Sequence, residues 1–390
     1  MSTAGRPAAG PVIAAAKGRY GTVHLFSPVA GKVVDISHRP GGSGEFVPVI
    51  AISPTAPAQE QEAVEVRELP SSEESRLQLA AAYAGLDLAL FRNTDWLVVN
   101  GCDPDVGVYG RRCLLRERLA DLASGATALA SHVGARHAYL AVTRGQLTAA
   151  ELESLRHDAA PLELLLVPAG YPAGRPEMLV SRLTGKKPNR CHNAGSRRSL
   201  LPTTSSPAVY CQDGVTVVGV ERVAALGYAL HHHRPPAETI VSVDGDAVSR
   251  PGVYRVPVGT PLAALLELAG LNLSSLRLLI RGGCLAGQAI TLGDAIVGID
   301  DIGFLAFTSA GQRASDAGLC LRCGRCLDAC PAGLSPTTIA RLAQKSLWGE
   351  AASAGAERCL GCGACAYVCP AGRPLVQLIQ LAQLQLELVK

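Results

Sequence analysis

The sequence predicts a multidomain α/β protein, with β-rich modules beside its central domain and a small α-helical domain at its C-terminus. Three observations carry this expectation. Strand-like and helix-like apolar patterns alternate from residue 74 to residue 237, the order that builds a sheet covered by helices. Short period-two stretches lie on either side, at 21–56 and within 238–310. Near the C-terminus, eight of the 13 cysteines fall into two runs of four.

Residues 1–20 are small residues and proline without periodicity and read as a disordered lead. Met1 to Gly18 has no apolar core of signal-peptide length. Residues 21–56 read as a β module. GTVHLFSPVAGKVVDI alternates apolar and polar positions around a turn at Pro28 and Gly31, and HRPGGSGEFVPVIAI repeats the pattern after a glycine-rich turn. A polar, proline-containing linker follows. In the 74–237 domain ESRLQLAAAYAGLDLALF, CLLRERLADLASGATALASHV and AAELESLRHDA have helical period, while DWLVVNG, HAYLAVT and LELLLVPAG read as buried strands.

Residues 238–310 form another unit. Two strands surround an Asp-Gly turn and Pro251-Gly252, and a helix starts at Thr260-Pro261, where threonine caps and proline fits the first turn. A glycine-rich turn in RLLIRGGCLAGQAI and a last strand in VGIDDIGFLAF close it. Residues 315–374 hold the cysteine runs, with a helix opened by Ser335-Pro336 between them, and 375–390 read as a helix with a broad apolar face that docks on the body or on a partner.

The runs are Cys320, Cys323, Cys326, Cys330 followed by Pro331, and Cys359, Cys362, Cys365, Cys369 followed by Pro370. Both read C-x-x-C-x-x-C-x-x-x-C-P, the bacterial ferredoxin run for a [4Fe-4S] cluster. Zinc needs only four ligands in all, and a disulfide scaffold suits a short secreted chain. In two-cluster ferredoxins the fourth cysteine of each run ligates the other cluster. The resemblance therefore implies one cluster on Cys320, Cys323, Cys326 and Cys369, and a second on Cys359, Cys362, Cys365 and Cys330.

The chain has a net charge of +3 over 390 residues, which speaks against a dedicated nucleic-acid binder. Hydrophobic content of 48% with only 4% aromatics points to aliphatic cores. No run of eighteen apolar residues appears, so a membrane would be reached through a partner. Thiolate-held clusters suit the reducing cytoplasm.

The order of parts resembles the C subunit of the Rnf electron-transport complex, a family related to the flavin-bearing NADH subunit of respiratory complex I and to microcompartment cobalamin reductase. The resemblance covers roughly residues 20–385. It rests on the cysteine runs, D-W-L-V-V-N-G, Y-P-A-G at Tyr171 to Gly174, L-T-G at Leu183 to Gly185, V-D-G-D-A-V-x-x-P-G at Val243 to Gly252, and R-G-G-x-x-x-G at Arg281 to Gly287. It implies a sandwich-hybrid module, a Rossmann-like α/β domain, a β-grasp module of the soluble-ligand-binding (SLBB) type and a two-cluster ferredoxin domain. S-P-V-A-G-K-V-V also resembles biotinyl carriers, but Lys32 lacks the Met-Lys-Met context, which leaves a plain β module.

In that family the α/β domain binds flavin mononucleotide (FMN) and accepts hydride from NADH. Its loop, roughly G-L-G-G-A-G-F-P, matches Gly85 to Arg92, where Gly85, Leu86, Ala89 and Phe91 remain but three glycines have become Asp87, Leu88 and Leu90. Side chains there obstruct the close backbone approach that phosphate needs, and the stretch reads as helix. The carboxylate after Y-P-x-G falls on Pro176, with Glu177 beside it. Paired asparagines before V-E-T fall on Val218 and Gly219, in V-V-G-V-E-R-V. Asp103 and Asp105 keep the start of an acidic loop that then meets Arg111-Arg112. Asp103, Asp105, Tyr171 and Gly174, with the loop positions, are thus candidate but altered flavin positions, and FMN is not expected.

Other candidates are weaker. Cys102, Cys113, Cys191, Cys211 and Cys284 share no ligand spacing and read as small buried hydrophobes. His231, His232 and His233 read as a surface loop. Lys186-Lys187, Arg190 and Arg197-Arg198 read as a solvated loop, or as a docking surface for an acidic partner. The expected function is a peripheral iron-sulfur relay between partner proteins, including membrane subunits and a soluble donor or acceptor. The alternatives are an FMN-containing NADH dehydrogenase subunit and a docking subunit with structural clusters.

Overall fold

The computed structural model describes residues 12–18, 21–26, 31–40, 46–54, 72–91, 94–158, 162–189, 209–293, 295–309 and 318–389. At the N-terminus β1 (Val12–Gly18) pairs antiparallel with β2 (Gly21–Phe26), and β3 (Gly31–Pro40) with β4 (Phe46–Pro54). These are separate two-stranded ladders. Residues 12–18 correct the expected unstructured lead: alanines conceal the alternation in VIAAAKG, and pairing with the next strand supplies the order that composition does not reveal.

Next come α1 (Glu73–Tyr83), β5 (Trp96–Asn100), α2 (Gly110–Glu117), α3 (Leu119–Val133), β6 (His137–Thr143), α4 (Ala149–Asp158), β7 (Glu163–Val167), α5 (Pro176–Thr184), β8 (Val209–Gln212), β9 (Val215–Gly219) and α6 (Val220–His232). The sheet order is β7-β6-β5-β9-β8, parallel except for the β8 edge. Leu97, Val99, Leu122, Leu129, Leu140 and Leu226 share the main core, and Val98, Ala141, Val167, Leu179 and Val217 form a second core. Neighbouring residues of one strand thus fall in different cores, which is why these strands read as continuous apolar runs. The winding reverses between β5 and β9, and ligands of open α/β sheets bind at the carboxyl ends beside such a switch.

Ser72 caps α1 through the Ser75 amide, and the helix ends at Gly85 in the left-handed region. A separate 3-10 turn covers Leu88–Phe91. The continuous helix expected through residue 91 is therefore broken, because glycine accepts the positive φ that terminates a helix. His231 and His232 belong to the last turn of α6 and His233 is its left-handed cap, so the expected histidine loop is a helix end; His231 Nδ1 lies 3.1 Å from Asp121.

Helices α3 and α6 cross at glycines. A methyl added at Gly227 would overlap the Asp121 carbonyl, and one at Gly125 the Val223 carbonyl. Gly227→Ala is expected to destabilise the domain by about 1–3 kcal/mol, since backbone must move to admit it. A lower denaturation midpoint with unchanged folding of the cysteine domain is the expected result.

The next unit comprises β10 (Glu238–Asp244), β11 (Gly252–Pro257), α7 (Leu262–Leu268), β12 (Leu278–Arg281), β13 (Gln288–Ile290) and β14 (Gly303–Phe307), in sheet order β11-β10-β14-β12-β13. Last come α8 (Arg325–Asp328), α9 (Pro336–Gln344), α10 (Trp348–Ser353), a 3-10 turn at Ala356–Arg358, α11 (Ala364–Tyr367) and α12 (Leu375–Val389). Helix α12, expected to dock on the body or on a partner, packs on α9 and α10 and so completes the core of the cysteine domain. Among the described residues, no helix is long and apolar enough to cross a membrane.

Candidate metal centre and adjoining crevice

The two cysteine runs fold alike. In the first, Arg322 and Gly324 have φ of 54° and 78°; in the second, Gly361 and Gly363 have φ of 66° and 81°. These left-handed residues turn each loop tightly between its cysteines, and α8 or α11 carries the third of them. Helices α9 and α12 then follow matching Cys-Pro-Ala-Gly stretches.

The fourth cysteines lie with the opposite runs. An apolar cavity is lined by Cys330, Cys359, Cys362 and Cys365, together with Leu334, Leu360, Val376 and Ile379. As a thiol, Cys365 is pushed up to about 12 by burial first, and next by its neighbours Cys359, Cys362 and Cys330. Burial also raises Cys362. Cys326 is raised by burial, with Cys369 and Cys320 as its charged neighbours. Cys320 is exposed, and the Thr337 hydroxyl lowers it. Among the described residues no three His, Cys, Asp or Glu side chains converge on a single ion. The four thiols of the second set instead ring a cavity, as a polynuclear cluster requires. The Leu334 amide donates to Cys330 Sγ at 3.3 Å, the kind of hydrogen bond that tunes a cluster.

This second set faces the α/β domain. Tyr171 donates its hydroxyl to the Cys362 carbonyl at 2.5 Å, and Arg175 donates to the Leu360 carbonyl at 3.0 Å while pairing with the buried Glu177. Gly363 rests on the Leu285 backbone, where a side chain would clash. Asp105 accepts from the Leu285 and Ala286 amides at 3.1 and 2.7 Å. Tyr171 and Asp105, candidate flavin positions in the sequence, thus help to join three domains.

Between these contacts and the carboxyl ends of β5, β6 and β7 lies a crevice of about 230 Å³, lined by Asp103, Asp105, Arg112, Gly145, Tyr171 and Gly174 among others. Asp103 Oδ1 and Arg112 Nε are buried there without a partner. Burial raises the Asp103 carboxyl above its ordinary value, against the opposing pull of Arg112 and Arg111. Unpartnered polar atoms of both kinds suit a polar ligand.

The loop expected to approach a flavin phosphate has another arrangement. The Arg222 guanidinium covers Gly85, donates to the Ala84 carbonyl and pairs with Asp300. The Asp87 carboxylate accepts from the Ala89 amide at 3.0 Å, Leu90 is exposed, and Arg92 lies outside the described residues. At the β5–β9 switch, Arg111 and Glu221 form a buried ion pair at 2.5 Å, and Arg111 also donates to the Cys102 carbonyl. The Arg222 side chain thus fills the space over Gly85 where a phosphate would approach, and the crevice, lined by none of residues 85–91, lies apart from this loop.

Arg175, Arg222 and Asp300 were not singled out as site residues from sequence, and Arg112 only as a departure from an acidic loop. Arg222 had a legible signal, since it stands where V-E-T has threonine. Asp300 had none, because 78 residues separate it from Arg222. Gly174 accepts from Asn100 and packs on Cys102. Cys113, Cys211 and Cys284 lie apart from the cysteine sets. Cys191, Arg190, Arg197 and Arg198 lie outside the described residues, and Lys186 pairs with Asp213 at 2.7 Å.

Comparison with known proteins agrees with this order of domains. Residues 80–220 match the Nuo51 FMN-binding domain, 240–271 the SLBB domain and 314–370 the 4Fe-4S dicluster domain. The chain is 30% identical over 365 residues to the C subunit of the ion-translocating oxidoreductase complex of Rhodobacter capsulatus, covering 88% of this chain and 66% of that one. It is 24% identical over 352 residues to the C subunit of the Na(+)-translocating ferredoxin:NAD(+) oxidoreductase complex of Acetobacterium woodii, covering 86% and 76%. The fold resembles an NAD+-reducing [NiFe]-hydrogenase in the H2-reduced state, with a TM-score of 0.50 at 18% identity over 85% of this chain and 65% of that one. With the Nuo51-type, SLBB and dicluster domains present in that order and these relatives alongside, the chain belongs to the RnfC-like family.

Proposed function

We propose that this chain is the electron-transferring C subunit of an Rnf-type ion-translocating complex, and that it moves electrons between the crevice and its exposed cysteine face through two [4Fe-4S] clusters. The observation that supports this reading is that Cys330 of the first run lines a cavity with Cys359, Cys362 and Cys365 of the second, while Cys369 of the second run neighbours Cys326 and Cys320 of the first at a more exposed face. Cys320, Cys323, Cys326 and Cys369 would hold cluster one, and Cys359, Cys362, Cys365 and Cys330 cluster two. Bound clusters would supply one-electron chemistry. The chain's own residues insulate cluster two with Leu334, Leu360, Val376 and Ile379, and brace its loop through Tyr171 and Arg175.

Two readings differ in what exchanges electrons with cluster two. The match to the FMN-binding family, and a crevice with unpartnered Asp103 and Arg112 atoms beside Cys362, favour the reading in which NADH reduces FMN and the electrons pass to the clusters. The covered Gly85 and the Arg111–Glu221 plug favour a relay between proteins without flavin. The family match gives the flavin reading the wider support, and the altered loop makes any such flavin depend on the crevice for its hold. Anaerobic purification decides. About eight irons per chain are expected on either reading. One flavin released per chain on denaturation selects the first, and eight irons without flavin select the relay. Fewer than four irons would sink both.

A further inference from the structure

The two cysteine runs share a backbone but not an environment, and each serves as an internal control for the other. Leu321 and Leu360 occupy equivalent places; Leu321 is 67% exposed and Leu360 only 7%. Leu360 is buried where the second run meets the α/β domain. Arg322 takes the place of Gly361, and Arg325 that of Ala364. Arg322 keeps the left-handed conformation with a φ of 54°, which is unfavourable for any residue with a Cβ. Packing does not explain the arginine, because Arg322 and Arg325 are both exposed. Around Cys320 and Cys323, themselves exposed, stand Leu319 at 91% exposure and Leu327 at 45%, with Tyr367 at 77% on the neighbouring α11. Arg373 lies close by, donating to Thr337 and Gln344. Asp328 is the one exposed acid within the first run.

We propose that this face is the docking surface of an acidic redox protein, whose carboxylates meet Arg322 and Arg325 and whose cofactor edge seats against Leu319 and Leu321. The inference rests on the reading that cluster one is held by Cys320, Cys323, Cys326 and Cys369. Apolar residues ringed by cations around an exposed redox centre suit a transient complex, in which charge steers the encounter and contact at the centre sets the distance. The step would be a single-electron transfer: the reduced partner would give up one electron, a cluster held by Cys320, Cys323, Cys326 and Cys369 would take it, and no proton would move.

The test uses the full chain with reconstituted clusters and a small acidic plant-type ferredoxin as the probe. The double variant Arg322→Gly, Arg325→Ala gives the first run the residues of the second, whose backbone already accommodates them, so it is expected to fold and keep its iron. Complex formation, measured by titration calorimetry, is expected to weaken at least tenfold, and its salt dependence to flatten. The stopped-flow rate of electron transfer from the reduced probe should fall by a similar factor. Arg156→Ala, on α4 away from this face, should change neither. Unchanged binding and rate in a variant with full iron would overturn the proposal. So would loss of flotation with anionic phosphatidylserine vesicles while probe binding stays intact, which would make the face a lipid contact. A wild-type chain that fails to take up iron would instead bring down the cluster reading beneath it.

Discussion

Replacing Cys330 with alanine is expected to remove cluster two while leaving cluster one, although Cys330 belongs to the run that builds cluster one. Iron should fall from about eight to about four per chain. The decisive variant is the pair Cys330→Ala, Cys365→Ala. If both thiols serve one cluster, the second substitution costs no further iron and about four remain. If each run held its own cluster, the pair would strip both and leave almost none. The crosswise result is expected because Cys330 lines one cavity with Cys359, Cys362 and Cys365, and the Leu334 amide fixes its sulfur there. Cys369 paired with Cys326 should behave in the same way for cluster one. Iron analysis with low-temperature paramagnetic resonance of the reduced protein provides the reading.

Removing the carboxylate at Glu221 is the second large effect. Arg111 and Glu221 have side-chain exposures of only 8% and 10%. Glu221→Ala would leave a guanidinium buried with the Cys102 carbonyl as a remaining partner, and cutting such a pair on one side costs about 3–5 kcal/mol. Replacing both residues, as Arg111→Met with Glu221→Leu, should recover most of that loss, because two apolar side chains need no solvation. Denaturant unfolding in a Trp348→Phe background, with Trp96 on β5 as reporter, measures both variants. A loss below about 1 kcal/mol for Glu221→Ala would show that water reaches the pair. The plug would then not be what closes the β5–β9 switch.

The strands were legible because a sheet covered on both faces demands long apolar runs, and LVVN and LAV supply them. The end of α1 was not, because Gly85 sits within a stretch whose apolar residues continue at helical spacing. The strand at 12–18 was concealed by alanine, whose small side chain carries little of the alternation that marks a strand. At the candidate flavin positions, substitution was readable but replacement was not. Asp87, Leu88 and Leu90 announced a changed loop, whereas the Arg222–Asp300 pair that covers it joins distant segments.

Ligand spacing is local, so the sequence alone determined the two cysteine runs and the order of the domains. Only the tertiary structure decided that the runs are unequal. Burial and docking depend on what packs against a loop, and among the described residues Leu285, Tyr171 and Arg175 reach the second run. That contact turns one of two like motifs toward a crevice and leaves the other, with its arginines, open to solvent.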